Sequence, residues 1–384
     1  MIINNAAIVT PTYLEHFKYI NKYLDSFYKF CKDRSSIVIY FVISREESDE
    51  FKKITSEYNE KLKIKILYID DLMPAYGLDE SAQEFLKKYG RFSFQTIKKF
   101  FALLEIPERY SLVLDSESML VRETDFLNLF NNYFDNPFLI LSDVDPIYRN
   151  DHFFNLMLEN ISSILKMDHV QWPIEHFMWF YDKKILLDLF EYTGSIQSML
   201  HLLEEKNKTI NDSVDSKYGI FEIVLYSLFI LKFNKKYKYS LININRILRE
   251  FLGDRQYNAY MNEYYHKLNG SCGIIEHAAI LITNANYRTI ANIFRTLNLK
   301  VIRCDFTNKE NYHIQRKFMS IVNPNILASS QSHAFGINKP TDIFKQFHKD
   351  KLYKHIDRFV RPKKISLSWF FEPLSIMYHF IMSR

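Results

Sequence analysis

The sequence predicts an α/β fold in which a mainly parallel sheet is flanked by helices. Short apolar runs recur through the N-terminal part of the chain, and between them lie segments whose apolar residues follow a helical period of about 3.6. Strands that alternate with helices in this way form βαβ units, which build parallel sheets. The composition is that of a globular chain, since 47% of the 384 residues are hydrophobic and only 25% are charged.

The predicted elements follow one another without a convincing linker. The alternation of strands and helices is weaker beyond residue 150, and a polar loop is predicted at 207–216. Two strands at 278–283 and 299–303, on either side of a helix at 287–297, predict one more βαβ unit. The other predicted strands are at residues 6–10, 36–44, 64–69, 112–114, 119–121, 138–142 and 177–181, and the other predicted helices are at 14–30, 46–58, 93–104, 184–191 and 221–233.

Glycine and cysteine usage excludes several kinds of site. With only 8 glycines, the chain contains neither of the common glycine-rich phosphate loops, so a bound phosphate would need a metal ion, basic side chains or helix N-termini. Cys31, Cys272 and Cys304 are widely spaced and odd in number, which fits neither a zinc site nor a disulfide framework and favours a reducing compartment. The first residues lack the basic region of a secretion signal, and no apolar run of about 18 residues predicts a membrane-spanning helix.

Two acidic residues at the end of a predicted strand are the most informative feature of the sequence. Asp115 and Glu117 follow the buried run 112–114, and ligands of α/β sheets bind outside the carboxyl ends of the strands. Carboxylates in that position can hold a hard divalent cation, which in turn binds phosphate oxygens. One alternative is a solvated acidic turn. Another is that Asp143 and Asp145 form the metal motif, although the proline that follows them favours a turn.

Four segments in this order resemble GT-A-type bacterial glycosyltransferases, over roughly residues 5–230. They are the strand-loop opening at 8–13, the helix at 91–98, the acidic segment at 115–117 and the helix at 218–226. The resemblance implies a GT-A-like fold in which residues 1–150 form the nucleotide-binding half and residues 151–341 the acceptor-side half. One departure is Glu117, which replaces the usual second aspartate and changes the geometry of cation binding.

The resemblance also implies how the donor, a nucleotide-diphospho-sugar, is bound. A divalent cation, Mn²⁺ or Mg²⁺, would be held by Asp115, Glu117 and a late histidine, His333, with His277 as the alternative. For Asp70 the alternative role is that of a helix cap. For Arg91 and Lys98 the alternative is a solvated surface position. The implied donor-binding residues are Thr10, Tyr13, Asp70, Arg91, Gln95, Lys98, Asp115 and Lys339.

Acidic and aromatic residues in the second half predict the catalytic and acceptor-binding positions. Glu222 lies in an otherwise apolar helix, where burying a carboxylate costs several kcal/mol unless it is paired or its pKa rises. A raised pKa suits a general base that takes a proton from a sugar hydroxyl. Asp215 is the competing base, and a surface position is the alternative for Glu222. His176 and Tyr218 are the predicted acceptor-binding residues, with an aromatic-rich core as the alternative for His176.

A helical, basic and amphipathic extension is predicted at residues 342–384, after a catalytic domain at 1–341. Between positions 345 and 364 there are 8 lysines and arginines and only 2 aspartates, and Trp369, Phe370 and Phe371 follow. Basic residues followed by aromatic ones fit an anchor at an anionic membrane surface. The alternatives are a helix that packs on the domain and a nucleic-acid patch. No recognition motif accompanies the charge, so no nucleic-acid partner is predicted.

The residues and the resemblance together predict a cytoplasmic glycosyltransferase, peripheral at the inner face of the cell membrane. It would move a sugar from a nucleotide-diphospho-sugar to a surface glycan, including a lipid-linked one, and inversion at the anomeric carbon is favoured. One alternative is a nucleotidyltransferase of similar fold, although residues 8–13 lack the glycine-rich loop that such enzymes use. The other is a catalytically inactive, membrane-associated glycan-binding protein, which the glutamate at position 117 keeps open.

Overall fold

The computed structural model describes most of the first 267 residues and short pieces beyond them. All of the described residues belong to one compact unit, Met1–Gly336. The predicted extension at 342–384 lies outside the described residues, so the division of the chain at residues 150 and 341 stays a prediction. The structure describes residues 2–120, 122–142, 152–168, 171–173, 179–207 and 220–267, followed by 274–275, 280–281, 288, 291–292, 301–303 and 326–330.

Strands and helices alternate along the N-terminal half, as the sequence predicts. The strands are β1 (Ala6–Pro11), β2 (Ile37–Ile43), β3 (Lys63–Tyr68), β4 (Tyr110–Val113), β5 (Ser118–Leu120), β6 (Phe138–Ser142), β7 (Trp172–Pro173), β8 (Phe180–Asp182), β9 (Ser240–Asn243), β10 (Ile274–Ile275), β11 (Ile280–Leu281), β12 (Val301–Arg303) and β13 (Ile326–Ser330). The α-helices are α1 (Phe17–Phe30), α2 (Ser48–Thr55), α3 (Ile69–Ala75), α4 (Ala82–Glu105), α5 (Phe126–Asp135), α6 (His152–Leu165), α7 (Lys183–Thr193), α8 (Ile196–Asn207), α9 (Glu222–Lys232), α10 (Asn234–Tyr237) and α11 (Ile244–Lys267). Single turns of 3-10 helix lie at Leu14–His16, Arg45–Glu47 and Ser56–Tyr58.

The central sheet is mainly parallel, with the strand order β3-β2-β1-β4-β8. β1 pairs in parallel with β2 and β4, and β2 with β3, whereas the edge strand β8 is antiparallel to β4. Every residue of β1 is buried, as expected for a strand whose two faces are covered by helices. Because β1 and β4 are parallel, their carboxyl ends meet at one edge, and the segments that follow Pro11 and Val113 lie side by side.

Some strands belong to smaller sheets, although a continuous βαβ order would place them in the central sheet. β6 pairs in parallel with β9 and antiparallel with β7, so it belongs to a second sheet. The βαβ unit predicted near 278–303 is wrong, because β11 pairs with β10 in antiparallel orientation while β12 pairs with β13. The physical reason is that an apolar run reveals a strand but carries no information about the strand's partner.

Helix α4 begins earlier than the predicted helix at 93–104 and is kinked at Gly90. It starts with a capping box, in which Ser81 Oγ accepts from Glu84 N at 3.2 Å and the Glu84 carboxylate accepts from Ser81 N at 2.9 Å. Gly90 has φ +83° and ψ 170°, a conformation that is essentially restricted to glycine. The helical residues after this kink, 91–105, contain the predicted helix and reach the edge of the sheet.

Aromatic side chains pack α1 against the sheet and α5. Tyr23 and Phe27 of α1 stack with ring centroids 4.7 Å apart, and Phe27 stacks on Phe126 of α5 at 5.7 Å. Tyr23 also contacts Phe41 of β2, with centroids 5.6 Å apart. These contacts fix α1, and with it the loop that connects β1 to α1. In the part of the chain that the structure describes, no helix is long and apolar enough to cross a membrane.

Candidate active site

A cavity of about 320 Å³ opens at the edge of the central sheet where β1 and β4 end. Its wall is formed by the loop between β1 and α1, the second part of α4, the turn between β4 and β5, and the start of α9. Ligands of parallel sheets bind at this edge. The lining residues are Pro11, Tyr13, His16, Arg91, Gln95, Lys99, Asp115, Ser116, Glu117, Phe221 and Glu222.

The acidic turn, residues 115–117, forms one part of this wall. It connects β4 of the central sheet to β5 of a smaller sheet, and Ser118 N donates to Asp115 O across it at 2.9 Å. Glu117 is buried with 6% of its surface exposed, and Asp115 is half-buried. Two carboxylates therefore stand at the carboxyl end of β4, on a turn that a hydrogen bond holds in place.

His16 is a cavity residue that the sequence patterns do not single out. Its Nδ1 lies 3.0 Å from Ser116 Oγ and 3.2 Å from Glu117 Oε2, and its ring centroid lies 4.2 Å from that of Tyr13. Burial, together with the carboxylates of Glu15 and Glu117, raises the pKa of the Tyr13 hydroxyl, so this group stays protonated at neutral pH. The sequence feature that could have indicated His16 is its spacing from Tyr13, because residues three apart share one face of a helical turn.

Helix α4 contributes a stripe of side chains at a spacing of four residues. Arg91, Gln95 and Lys99 line the cavity, and Lys98 lies elsewhere. Lys98 is buried, its Nζ donates to Thr12 O at 3.1 Å, and burial lowers its pKa to about 8. The resemblance implies that Lys98 binds the donor, but the structure puts Lys99 and not Lys98 on the cavity wall. On a helix, residues four apart are offset by only about 40°, whereas residues three apart are offset by about 60° in the opposite sense.

Glu222 is buried in an ion pair and is not a surface residue. Its Oε1 lies 2.5 Å from Lys99 Nζ, and its Oε2 lies 3.1 Å from Thr96 Oγ. The Thr96 hydroxyl also contacts the Ile220 carbonyl oxygen, and Lys99 Nζ lies 4.5 Å from the centroid of the Trp179 ring. The ion pair offsets the cost of burying the carboxylate, so burial alone does not single out Glu222 as a proton acceptor.

Two further residues that the resemblance implies for donor binding lie away from the cavity wall. The Thr10 hydroxyl is buried, 2.7 Å from the Tyr23 hydroxyl. Asp70 lies in the first turn of α3, where its Oδ2 accepts from Arg45 N at 2.7 Å. Arg45 also forms an exposed ion pair with Asp71. These contacts account for Thr10 and Asp70 without a ligand.

Several residues of the predicted site lie outside the described residues, and their roles stay predictions. They are Asp143 and Asp145 of the second acidic pair, His176 and Tyr218 of the acceptor side, the competing base Asp215, and His277, His333 and Lys339.

Asp115 and Glu117 have the chemistry to hold a hard divalent cation. Among the described residues, no group of three or more histidine, cysteine, aspartate and glutamate side chains is arranged to hold a metal ion. Mg²⁺ commonly binds through one or two carboxylates, with substrate phosphates and water completing its shell. Two carboxylates on one turn beside an open cavity fit that mode of binding.

No protein-family model and no curated protein sequence matches this chain. The chain is similar to the apo structure of mouse xyloside xylosyltransferase 1, with 13% identity over 73% of this chain and 98% of that chain and a TM-score of 0.36. It is similar to 4-diphosphocytidyl-2C-methyl-D-erythritol synthase from Anaerococcus prevotii DSM 20548, with 13% identity over 69% of this chain and 96% of that chain and a TM-score of 0.29. It is also similar to the glycosyltransferase GlyE of Streptococcus pneumoniae TIGR4, with 12% identity over 69% of this chain and 52% of that chain and a TM-score of 0.34.

Proposed function

We propose that this chain is a glycosyltransferase whose cavity binds a nucleotide-diphospho-sugar. The observation that supports this function is the meeting of Asp115 and Glu117 with the stripe of Arg91, Gln95 and Lys99 in one cavity. Carboxylates suit a divalent cation, and guanidinium, ammonium and amide groups suit phosphate and hydroxyl oxygens. A donor that carries both a diphosphate and a sugar needs both sets of groups.

The charges of the cavity favour a divalent cation as part of donor binding. The wall carries three carboxylates, those of Asp115, Glu117 and Glu222, against the two basic side chains of Arg91 and Lys99. A diphosphate would add negative charge to a partly buried site, where like charges repel more strongly than in water. Mn²⁺ or Mg²⁺ at the acidic turn would offset this repulsion and stabilise the leaving diphosphate.

Other side chains of the cavity can orient the donor. Tyr13 and His16 present neighbouring rings, on which a nucleobase can stack. Arg91 is exposed and can form paired hydrogen bonds with phosphate oxygens. Gln95 offers both donors and an acceptor. We propose His333 and Lys339 as further contacts to the cation and the diphosphate; both lie outside the described residues.

Transfer with inversion, which we favour, needs a base for the proton of the acceptor hydroxyl. Glu222 lies on the cavity wall, but Lys99 and Thr96 already engage its two oxygens. Asp215, outside the described residues, is the alternative base. The donor affinity and the transfer rate of Glu222→Gln separate the two bases.

We also propose a surface glycan, including a lipid-linked one, as the acceptor, with His176 and Tyr218 as its contacts. The basic and aromatic residues of the extension at 342–384 support a peripheral position at the inner face of the cell membrane. The full-length protein should bind anionic liposomes, and more weakly at high salt, because salt screens the charges. Equal binding by a chain truncated after Thr341 would contradict the membrane role.

A thermal-shift screen against nucleotide-sugars, with and without Mn²⁺, tests the proposed function. A ligand at about 100 times its dissociation constant stabilises the folded state by about 2.7 kcal/mol, which raises the melting temperature measurably. We expect a nucleotide-sugar to bind in the presence of the cation. Asp115→Asn should weaken that binding and abolish the transfer of sugar, because it removes a charge with little change of shape, and Asp143→Asn should have far less effect.

The alternatives give other outcomes in the same assays. Loss of transfer in Asp143→Asn, with Asp115→Asn active, would move the metal motif to the second acidic pair. Turnover of a nucleoside triphosphate with a sugar phosphate would identify a nucleotidyltransferase. Binding of a glycan without hydrolysis or transfer of any donor would identify a catalytically inactive glycan-binding protein.

A further inference from the structure

The ion pair of Lys99 and Glu222 lines the cavity, but the binding of a diphosphate does not explain it. The two side chains are 5% and 1% exposed, and their charged atoms lie 2.5 Å apart. The ammonium charge is therefore largely compensated by its own partner. A phosphate that approached Lys99 would also approach the carboxylate, and the repulsion would offset much of the attraction. The pair is a poor site for an anion.

The same pair suits a neutral group that both accepts and donates hydrogen bonds. An ammonium carries three N–H donors, and each carboxylate oxygen can accept two hydrogen bonds. The contacts to each other and to Thr96 use only part of this capacity. A sugar hydroxyl can accept from Lys99 Nζ while it donates to Glu222, so two neighbouring hydroxyls match the two side chains together.

The pair has a fixed geometry before any ligand binds. Thr96, one helical turn before Lys99, lies 3.1 Å from Glu222 Oε2 and also contacts the Ile220 carbonyl oxygen beside the start of α9. The Trp179 ring, just before β8, lies 4.5 Å from Lys99 Nζ. Thr96 and Trp179, which lie on separate segments, therefore contact the two charged groups, and a hydroxyl can bind with little rearrangement of the protein.

We infer that Lys99 and Glu222 bind hydroxyl groups of the donor sugar and help to determine which sugar the cavity accepts. This role depends on the proposed function. The sugar of such a donor is covalently joined to the diphosphate, so it enters the cavity that also contains Asp115 and Glu117. Glu222 is then a sugar-binding residue, and the proton of the acceptor hydroxyl goes to another group.

Affinities for a nucleoside diphosphate, with and without its sugar, test this role. The full-length protein with Mn²⁺ is titrated calorimetrically with UDP and GDP, and with the glucose and N-acetylglucosamine conjugates of each. For a conjugate that the wild type binds, Lys99→Met and Glu222→Gln should each weaken binding by about 10- to 100-fold, the range for a lost charged hydrogen bond. Binding of the nucleoside diphosphate alone should not change, whereas Asp115→Asn should weaken both.

Lys98→Met is the matched control. It removes a buried lysine at the next position of the same helix, away from the cavity wall, and should leave the ratio of the two affinities unchanged. A single substitution in the pair leaves one buried group without its partner. The double variant Lys99→Met/Glu222→Gln removes both charges, so it replaces any single variant that does not fold, and it should lose binding of the conjugate selectively as well.

Other patterns would overturn the assignment. If Lys99→Met lost affinity equally for the nucleoside diphosphate and for its sugar conjugate, Lys99 would be a contact to the diphosphate anion. Unchanged donor affinity in Glu222→Gln, with transfer slowed by about 10²- to 10⁴-fold, would make Glu222 the general base. A change confined to the KM of the acceptor would assign the pair to the acceptor sugar, and no change at all would make it structural. All of these results leave the proposed function standing, whereas a wild type that binds none of the donors would remove both.

Discussion

Lys98 and Lys99 are adjacent on helix α4, yet they belong to different regions of the molecule. Lys98 Nζ donates to the Thr12 carbonyl oxygen at 3.1 Å, in the loop that leads from β1 towards the cavity. Lys99 Nζ lies 2.5 Å from the Glu222 carboxylate, on the cavity wall itself. Both residues are 4% exposed, so burial does not distinguish them.

The partner atom decides what each buried lysine contributes. A carbonyl oxygen carries only a partial charge, so burial lowers the pKa of Lys98 to about 8, although Glu47 and Asp70 favour its charged form. The carboxylate of Glu222 compensates Lys99 with a full opposite charge. Lys98 therefore links α4 to the loop after β1, whereas Lys99 belongs to a charged pair that a ligand in the cavity can reach.

The largest expected difference between the two lysines is in the stability of the fold. Lys99→Met should lower the free energy of unfolding by about 3–5 kcal/mol, because it leaves Glu222 buried without its counter-ion. Lys98→Met leaves only a carbonyl oxygen without its donor and removes a poorly compensated charge, so its cost should not exceed about 1–3 kcal/mol. Urea unfolding followed by circular dichroism measures both values.

The double variant Lys99→Met/Glu222→Gln is the control for this comparison. Because it removes both charges, it should recover most of the stability that Lys99→Met loses. A greater loss of stability in Lys98→Met than in Lys99→Met would contradict the expectation. It would show that the ion pair of Lys99 stabilises the fold less than the hydrogen bond from Lys98 to Thr12.

A smaller effect is expected from the titration of Lys98. Its pKa of about 8 in the folded protein lies below the ordinary value of 10.5, so between these values the unfolded chain binds a proton that the folded protein has released. The titration of Lys98 should therefore add stability as the pH rises through this window, by about 2 kcal/mol from about pH 8 to about pH 10 relative to a variant that lacks this lysine. The free energy of unfolding in urea, measured across this range, tests the expectation.

Lys98→Met should lack this contribution, and Lys99→Arg should retain it. The wild type is compared with Lys98→Met because burial also raises the pKa of Tyr23, Tyr133 and Tyr226, which lowers the stability of both proteins as unfolded tyrosines titrate towards pH 10. If the wild type gains no stability relative to Lys98→Met over the same range, burial does not lower the pKa of Lys98, and the two lysines are more alike than their contacts indicate.

Local sequence patterns predict most of the elements that carry the candidate site. The strand Phe138–Ser142 has the predicted bounds, β1 differs from prediction by one residue at one end, and β2 and β3 differ by one residue at each end. An apolar run or a helical period is a property of neighbouring residues, so it can be read without knowing what packs against it. The mainly parallel arrangement follows from the alternation of such segments.

The candidate site is predicted in part. Residues at the carboxyl ends of parallel strands share one edge of the sheet, which explains why several predicted residues lie together. Lys98, Thr10 and Asp70 are not on the wall, because their side chains have partners elsewhere in the fold. The predicted residues that line the cavity are Tyr13, Arg91, Gln95, Asp115, Glu117 and Glu222.

The sequence by itself determined the types of element, the mainly parallel sheet and the acidic turn at its edge, because each depends on residues a few positions apart. Only the tertiary structure decided that Lys99 meets Glu222, 123 positions away, that His16 meets Ser116, 100 positions away, and that β6 pairs with β9. Contacts over such separations depend on the combined geometry of every element between the partners. No local pattern of residues contains that geometry, and so the chemistry of the cavity wall could be read only from the folded chain.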